Sequence, residues 1–443
     1  MKKITLIFSV LLLIVSCEKY IDDIFLEEAE LEEALICDGC DIQITKDESR
    51  LTQINEDVIF SSVQQGKNIS SKSFGGKEVS LELVAELAPL FIEYNGEQVM
   101  LNANHVTTKG GRIAASYSLR GEPYSGAVDV LNISSFNNAQ LEATLLFPDR
   151  DIDAISFIES KNYLVFGGGF DAAKYYGGDY PSFFGRYQIK YNKKSDIFSI
   201  AEKNVFHSLF GNKLRSLKQI NGVTAGAGGG NSGVIFAFDE KSKTVIMQDS
   251  NETQGLFILD TSVEKRNKNY DFIAVAFDNS SKELKAFYYD IEDLKKNVMK
   301  FSYEVTLGVF PNMDVEAKHS LVVPKAGVLA VSLGSEGIGI FHIETDANGE
   351  KNAIFHQQVK SEILDAGNSD HVVNSFIYSD ENFYIAAGEA GLYVMSYSKK
   401  NSEFDGSYSK VEFPPDVSVN SIAKDKKDLV IATTLGLSLY SLK

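Results

Sequence analysis

The sequence predicts an all-β protein in which a four-stranded unit recurs around a common axis. Three observations predict it. A phrase of three apolar strands recurs along the chain, turn residues separate the strands, and convincing amphipathic helices are confined to an acidic leader. Because such a unit cannot bury its own apolar faces, its copies must pack against one another. Radial packing of small sheets also removes long exposed edges, so we expect a β-propeller.

The repeat is clearest near the C-terminus. There VNSFIYSDENFYIAAGEAGLYVMSY, from Val373, is followed by VNSIAKDKKDLVIATTLGLSLYSL, from Val419. Both contain an apolar strand, a polar hairpin, a second strand ending in small residues, a glycine and a third strand. The glycine marks six copies, at Gly126, Gly185, Gly233, Gly339, Gly391 and Gly436. Leu284 takes its place in a further copy. Steps of roughly 45 to 60 residues suit four strands with turns, so we predict seven blades, with six or eight left open.

The last copy predicts how the ring closes. It ends on its third strand, so the outer strand of that blade must come from another part of the chain. We expect an N-terminal segment to supply it, within either VIFSSVQQG (from Val58) or VSLELVAELAPL (from Val79).

The N-terminus, MKKITLIFSVLLLIVSC, has the pattern of a secretory signal. Two lysines precede an apolar run from Ile4 to Val15, which is shorter than the approximately 20 residues of a membrane-spanning helix. Its end, IVSC, resembles the lipobox of bacterial lipoproteins. The resemblance implies a signal peptide over residues 1–16, cleavage before Cys17, and acylation of Cys17 by palmitate or a similar chain. The alternative is an ordinary cleaved signal followed by an incidental cysteine.

An acidic segment, residues 17–50, separates this signal from the repeats. EKYIDDIFLEEAELEE resembles the tether that routes some lipoproteins to the outer face of the outer membrane, and a solvated linker is the alternative. We expect an outer-membrane lipid anchor, with the periplasmic or cell-surface side left open. Cys37 and Cys40 form a CDGC pair for which a local disulfide is predicted, two idle thiols being the alternative. The propeller is assigned to residues 51–443.

The repeat units resemble the LVIVD-repeat family of secreted and surface bacterial proteins. NFYIAAGEAGLYVMSYS, from Asn382, is the copy most similar to the family pattern. NYLVFGGG carries a long insertion, and KELKAFYYDI lacks the glycine. The resemblance covers most of the repeat region. It implies a propeller in a cell-envelope setting and nothing about a substrate.

Two features bear on nucleotides and nucleic acids. Gly228, Gly230 and Gly233 match the GxGxxG fingerprint of dinucleotide-binding proteins, but the alternating run VIFAFD follows where that fingerprint needs a helix. We therefore expect a link between two strands, and no nucleotide or other cofactor. The net charge of −18 argues against nucleic acid as a partner, because phosphate binding depends on clustered Lys and Arg.

Polar residues recur where one blade leads into the next. Side chains of this kind commonly cap turns and satisfy backbone amides, which is one interpretation. The other is a ring at the channel mouth that holds a cation or a polar ligand. The candidates are His105, Asp151, Asp153, Asp370 and His371. The segment DRDID lacks the glycine and closing glutamate of a calcium loop, so no metal site is predicted.

A long loop between Gly167 and Gly185 concentrates aromatic and charged residues. Exposed aromatic rings beside polar groups favour binding to sugar rings or to a protein surface. The alternative is that the rings fold back and plug the channel mouth. The candidate residues of this loop are Asp171, Tyr175, Tyr176, Asp179, Tyr180 and Phe183.

These observations favour a membrane-anchored propeller that acts as a binding or scaffolding module for a glycan or an envelope protein. Catalytic motifs such as GxSxG or HExxH are not legible, so no catalytic residue is predicted. The alternative is a glycan-active hydrolase or lyase with carboxylates at the channel, which two buried acids within about 5 to 10 Å would favour. A third hypothesis is a structural subunit of an envelope complex.

Overall fold

A computed structural model of the 443-residue chain shows a seven-bladed β-propeller, which confirms the predicted fold class. It describes residues 42–57, 61–63, 81–119, 124–133, 139–158, 162–170, 182–192, 194–195, 197–200, 205–209, 213–229, 233–239, 244–247, 256–266, 269–296, 298–313, 318–348, 350–359, 372–411 and 413–442. Seven antiparallel sheets are present in these ranges. Their inner strands contact one another in a closed ring.

Strands of the N-terminal region precede the repeats. They are β1 (Gln43–Thr45), β2 (Leu51–Asp57), β3 (Ser61–Val63) and β4 (Leu81–Leu87). The first blade contains β5 (Leu90–Tyr94), β6 (Glu97–Lys109), β7 (Arg112–Ser118), β8 (Gly126–Asn132) and β9 (Gln140–Phe147). The second contains β10 (Ala154–Ile158), β11 (Tyr163–Gly169), β12 (Ser182–Asn192), β13 (Ile197–Ile200) and β14 (Val205–Leu209).

The next three blades are four-stranded. The third contains β15 (Lys213–Ile220), β16 (Val223–Gly229), β17 (Val234–Asp239) and β18 (Thr244–Met247). The fourth contains β19 (Leu256–Arg266), β20 (Asn269–Asp278), β21 (Glu283–Asp290) and β22 (Tyr303–Val309). The fifth contains β23 (Leu321–Lys325), β24 (Val328–Ser332), β25 (Ile338–Thr345) and β26 (Lys351–Val359).

The last two blades take strands from both ends of the chain. The sixth contains β27 (Ser375–Ser379), β28 (Asn382–Ala386), β29 (Leu392–Ser398) and β30 (Glu403–Val411). The seventh contains β31 (Val419–Asp425), β32 (Asp428–Thr433) and β33 (Gly436–Leu442). The described helices are short: α1 (Ile291–Leu294) and two 3-10 turns, η1 (Glu48–Arg50) and η2 (Gly334–Glu336). Among the described residues, no helix has the length and apolar character needed to cross a bilayer.

In several blades the second strand of the repeat is buried along its length because both of its faces contact neighbouring blades. β7, β24 and β32 are buried at every position. Their sequences, RIAASYS, VLAVS and DLVIAT, are therefore short apolar or small-residue runs without strict alternation. The outer strand β26 is largely exposed or half-buried. The core thus lies between blades, as the repeat pattern requires.

The predicted ring closure is confirmed. β4, from VSLELVAELAPL, pairs antiparallel with β33 and is the fourth strand of the seventh blade. The other candidate segment, VIFSSVQQG, contributes β3, which pairs with β30 at the outer edge of the sixth blade. β1 pairs with β9 of the first blade, so contacts with the propeller begin within the segment predicted as a tether.

A buried ion pair joins the N-terminal segment to the ring. Arg50 donates to both carboxylate oxygens of Asp129, at 3.1 and 2.8 Å, and also to the backbone oxygen of Ala88. Asp129 also accepts from Thr144. The partners belong to the first blade and to the connection from the seventh. This network therefore stabilises the junction between the seventh and first blades, where the ring closes.

Steric contacts explain two of the marker glycines, those of the sixth and seventh blades. Gly391 and Gly436 have φ values of +97° and +106°, which L side chains rarely adopt. A Cβ at Gly391 would lie 2.5 Å from the backbone oxygen of Val411, and one at Gly436 would collide with that of Leu87. Close approach to the outer strand therefore requires glycine before the third strand.

The hairpin of β5 and β6 was not anticipated from the repeat pattern. Its turn, Asn95-Gly96, has positive φ at both residues and is a favoured hairpin connection. This Asn-Gly pair, between FIEY and EQVM, was the available sequence signal. Phe91 and Tyr94 are 51% and 41% exposed on this hairpin.

Candidate functional site

A cavity of about 510 Å³ lies where the seven inner strands meet. Every blade contributes at least one polar side chain to its wall. These include Asn104, Asp153, Lys213, Asp260, Lys318, Asn374 and Asn420, in order from the first blade to the seventh. Because no single blade forms the site, it exists only in the closed ring.

A recurring backbone irregularity aims side chains at this cavity. Five inner strands have a register shift with their neighbour, which is a β-bulge, and in β6, β15, β19 and β31 the strand skips a single residue. The unpaired residue lines the cavity in each of these four strands. These residues are Asn104 in β6, Arg215 in β15, Leu259 in β19 and Asn420 in β31. The bulge therefore places one residue per strand at the same level of the channel.

The amides on one side of the cavity hold blades together. We call Asn104, Asn374 and Asn420 the amide wall. The side-chain nitrogen of Asn420 donates to the backbone oxygen of Ala103 at 2.9 Å, and that of Asn374 donates to Val419 at 2.9 Å. These bonds join the seventh blade to the first and the sixth to the seventh. This wall supports the interpretation that polar residues at blade entries satisfy backbone groups.

Hydroxyl and carboxylate groups form similar links elsewhere around the channel. Asp260 accepts from the backbone N–H of Leu321 at 2.7 Å, which joins the fourth and fifth blades. Ser216 and Thr261 share a 2.7 Å hydrogen bond between the third and fourth. Burial raises the pKa of Asp260, while the nearby charge of Lys218 acts in the opposite direction. Asp260 is therefore both a cavity residue and a blade connector.

His105, a predicted site residue, lines the cavity and links the first two blades. Its Nδ1 accepts from the backbone N–H of Ile155 at 3.1 Å. Burial, reinforced by the positive charges of Lys218 and Lys318, lowers the pKa of His105 to about 3. The imidazole is therefore neutral near pH 7, as this acceptor role requires.

The opposite side of the cavity is basic. We call Lys213, Arg215 and Lys218 of β15 the cationic wall; in ring order the third blade lies opposite the sixth and seventh. Lys318 adds a fourth cation and donates across the channel to the backbone oxygen of Asn104 at 2.8 Å. Four basic and two acidic side chains leave a formal charge of +2 on the cavity wall.

The aspartates of DRDID have separate environments. Asp149 pairs with Arg150 at 2.8 Å, and Asp151 is buried and accepts from the backbone N–H groups of Leu119 and Ser125. Asp153 lines the cavity and accepts from the Ser118 hydroxyl at 3.2 Å. Among the described residues, no group of three or more His, Cys, Asp or Glu could hold a metal ion.

Phe183 is a core residue. Its side chain is fully buried, 6.1 Å from the ring of Phe170, and the guanidinium of Arg150 lies over its face at 5.3 Å. A ligand at the surface therefore cannot stack on it. The other candidates lie outside the described residues: Cys17, Cys37, Cys40, Asp171, Tyr175, Tyr176, Asp179, Tyr180, Asp370 and His371.

The GxGxxG stretch links two strands, as expected. β16 ends at Gly229, and β17, which pairs antiparallel with it, begins at Val234 immediately after Gly233. A strand therefore stands where the dinucleotide fingerprint needs a helix.

Sequence inspection missed the cationic wall. The available signal was KLRSLK, from Lys213, a basic strand opening in a chain with a net charge of −18. The ring predicted at the blade entries consisted of carboxylates, amides and imidazoles, and this basic strand was not part of it.

No protein-family model matches the sequence, and comparison with curated proteins finds no similar chain. Solved structures that the chain resembles include the WD40 repeats of RRP9, at 6% identity and a TM-score of 0.49, covering 81% of this chain and 100% of that one. A chain of the mitotic checkpoint complex matches at 14% identity and 0.48, covering 86% and 99%. Saccharomyces cerevisiae Sqt1 matches at 10% identity and 0.45, covering 81% and 100%. The class of protein, a seven-bladed β-propeller, rests on the sheets of this chain itself.

Proposed function

We propose that this protein is a lipid-anchored module of the bacterial cell envelope whose propeller binds a glycan or protein partner through the central cavity. The observation that carries the proposal is the cavity of about 510 Å³ to which all seven blades contribute polar groups. Its volume is in the usual range of sites for small ligands. A propeller fold alone does not define a function, so the proposal depends on this site.

The anchor is supported by the sequence. Two lysines, a short apolar run and the IVSC ending at Cys17 have the lipobox pattern, and the repeats resemble LVIVD units of envelope proteins. Acyl chains contribute about 0.8 kcal/mol per buried methylene, so several chains hold a folded domain at a membrane. Radiolabelled palmitate should enter the parent protein and not Cys17→Ser. Equal label in both would exclude the anchor.

Binding is favoured over catalysis because the cavity carboxylates already have structural partners. Asp153 accepts from Ser118, and Asp260 accepts from the Leu321 amide that joins two blades. A glycosidase needs one carboxyl group to deliver a proton and a second to act as nucleophile or base. Groups committed to holding blades together are poorly suited to these changing roles.

The cavity can be tested by filling it. Ser375 lines the cavity and is half-buried, so Ser375→Trp should obstruct it, whereas Ser281→Trp adds the same ring on an exposed turn. Both variants and the parent would be screened on an array of envelope and host glycans. We expect retained glycans to be lost with Ser375→Trp and kept with Ser281→Trp. If Ser375→Trp still retains the glycans, the cavity is not the binding site. If the parent protein retains no glycan on the array, a protein is the remaining candidate partner.

The aromatic loop remains a separate prediction. If Tyr175, Tyr176 and Tyr180 contact the partner, replacing all three with Ala should abolish retention on the same array. Unchanged retention of a glycan that the parent binds would exclude this role and leave the cavity proposal intact.

A further inference from the structure

We infer that the central cavity selects an acidic saccharide, meaning a carboxylate-bearing sugar of one to a few rings. The inference rests on the proposed function, because it names the ligand of the same cavity. It depends on three features of the wall: its charge, two lysines without a hydrogen bond or close ion pair within the described structure, and the chemistry of the opposite side.

The charge of the cavity is opposite in sign to that of the whole chain. The wall carries +2 formally, while the chain carries −18. Four cations that share one recessed site repel one another, and an entering anion would relieve this repulsion. A recessed basic site of this kind focuses its potential on an anion that enters.

Two of the cations are available to a ligand. Within the described part of the chain, the side chains of Lys213 and Lys218 donate no hydrogen bond and form no ion pair within 4 Å, although the charge of Lys218 also acts on Asp260. Both are half-buried on the cavity wall. Lys318, by contrast, donates to Asn104. The positive potential that Lys218 and Lys318 create is also felt by His105, whose pKa they help to lower.

The rest of the lining favours a hydroxyl-rich carboxylate. Asp153 and Asp260 share the cavity with the cations and would repel a phosphate dianion more strongly than a single carboxylate. The same oxygens can accept from sugar hydroxyls. Facing the cationic wall, the hydroxyl of Ser375 can both donate and accept. The hydroxyls of Ser418 and Ser421 lie beside it and already bond, respectively, to Asn420 and to the backbone N–H of Val106. The cavity therefore has a cationic side for the acid group and a polar neutral side for the ring.

Isothermal calorimetry on the full-length protein would compare two acidic saccharides with neutral counterparts. The pairs are digalacturonate with its dimethyl ester, and sialyllactose with lactose; inorganic phosphate is a fifth probe. We expect at least one acidic saccharide to bind about tenfold more tightly than its counterpart, because charge-assisted hydrogen bonds are roughly twice as strong as neutral ones. Its affinity should fall between 50 and 500 mM salt, since salt screens the attraction.

Substitutions of single lysines would show whether the saccharide binds at the cationic wall. Lys213→Gln and Lys218→Gln should each weaken binding of the preferred acidic saccharide about tenfold. Lys400→Gln removes the same charge from an exposed turn and should leave affinity unchanged. Thermal unfolding of each variant would show that the fold is kept. Because the two replacements are at separate positions, a folding defect in one variant would still leave the other as a test.

The outcomes separate this inference from the proposed function. If neither acidic saccharide binds more tightly than its neutral counterpart, or phosphate binds more tightly than both, the inference is wrong. Neutral saccharides that bind equally well and are blocked by Ser375→Trp would leave the proposed function standing without it. Loss of acidic-saccharide binding in Lys400→Gln as well as in the wall variants would assign the effect to overall charge and overturn the inference.

Discussion

The amide wall and the cationic wall face each other across one cavity and use the same backbone device for different purposes. In β31 the bulged residue is Asn420, whose amide donates to Ala103 of the next blade. In β15 the bulged residue is Arg215, flanked by Lys213 and Lys218, which point charge at the cavity. A bulge aims a side chain at the channel, and the residue type decides whether that side chain holds blades together or meets a ligand.

The two walls differ in the state of the protein in which their side chains form hydrogen bonds. Hydrogen bonds of the amide wall are formed in the unliganded protein and contribute to its stability. Those expected of Lys213 and Lys218 form only when an anion enters. Substitutions at the amide wall and the closure beside it should therefore change stability, whereas substitutions at the cationic wall should change affinity.

The largest effect is expected at the buried closure pair. Arg50→Met removes the partner of Asp129, which is fully buried, and should lower the free energy of unfolding by about 3 to 5 kcal/mol. Urea denaturation would measure it. Lys46→Met, which removes the partner of the exposed Glu48, should cost less than about 1 kcal/mol. Equal costs for the two variants would mean that the ion pair does not fasten the ring.

Gly436→Ala should lower the free energy of unfolding by roughly 2 to 4 kcal/mol, because it combines a positive φ with a collision against Leu87. Gly96→Ala is the matched control. Its φ of +82° is also positive, but a Cβ there meets no atom within 4 Å, so only the backbone strain of about 1 kcal/mol applies. If urea denaturation gives the two variants the same cost, contact with the closing strand is not what requires glycine.

Acidification should destabilise the link that His105 forms between the first two blades. The folded-state pKa of about 3 lies below the ordinary histidine pKa of 6.5, so the unfolded chain binds the proton first. The resulting stabilisation is complete above pH 6.5 and is lost as the pH falls towards 3, by about 2 kcal/mol between pH 7 and 5.

Denaturation of His105→Asn at both pH values would test this dependence. The variant keeps a side-chain acceptor without a titrating group, so its stability should change less than that of the parent over this interval. His356→Asn removes an exposed histidine and should behave as the parent does. An undiminished pH dependence in His105→Asn would assign it to other groups.

The smallest expected change in stability comes from comparing one substitution in each wall. Asn420→Ala leaves the Ala103 oxygen without its side-chain donor and should cost about 1 kcal/mol of stability. Lys213→Gln should change stability by less than about 0.5 kcal/mol, because the Lys213 side chain forms no hydrogen bond or ion pair in the described structure. Thermal and urea unfolding in parallel would compare them. A larger cost for Lys213→Gln would make the cationic wall structural.

The candidate site was predictable only in part. Of the predicted blade-entry residues, His105 and Asp153 line the cavity and Asp151 does not. The hydrogen bonds between blades were not predictable, because the partner lies on another blade, as for His105 with Ile155 and Asn420 with Ala103. Lys213 and Lys218 were missed because basic residues in a strand are usual at a solvated surface. Phe183 was assigned to a long loop, either exposed for binding or folded back onto the channel mouth, but β12 begins at Ser182 and carries Phe183 into the core.

The sequence by itself determined the all-β class, the repeated blade unit and the need for an N-terminal strand to complete the last blade. These follow from local patterns, since strand runs, turns and marker glycines are properties of short segments. Only the tertiary structure decided which segment closes the ring, which polar groups are consumed between blades, and that β15 faces the channel with three cations. Those outcomes depend on how seven separate strands meet around one axis, and no single segment contains that geometry.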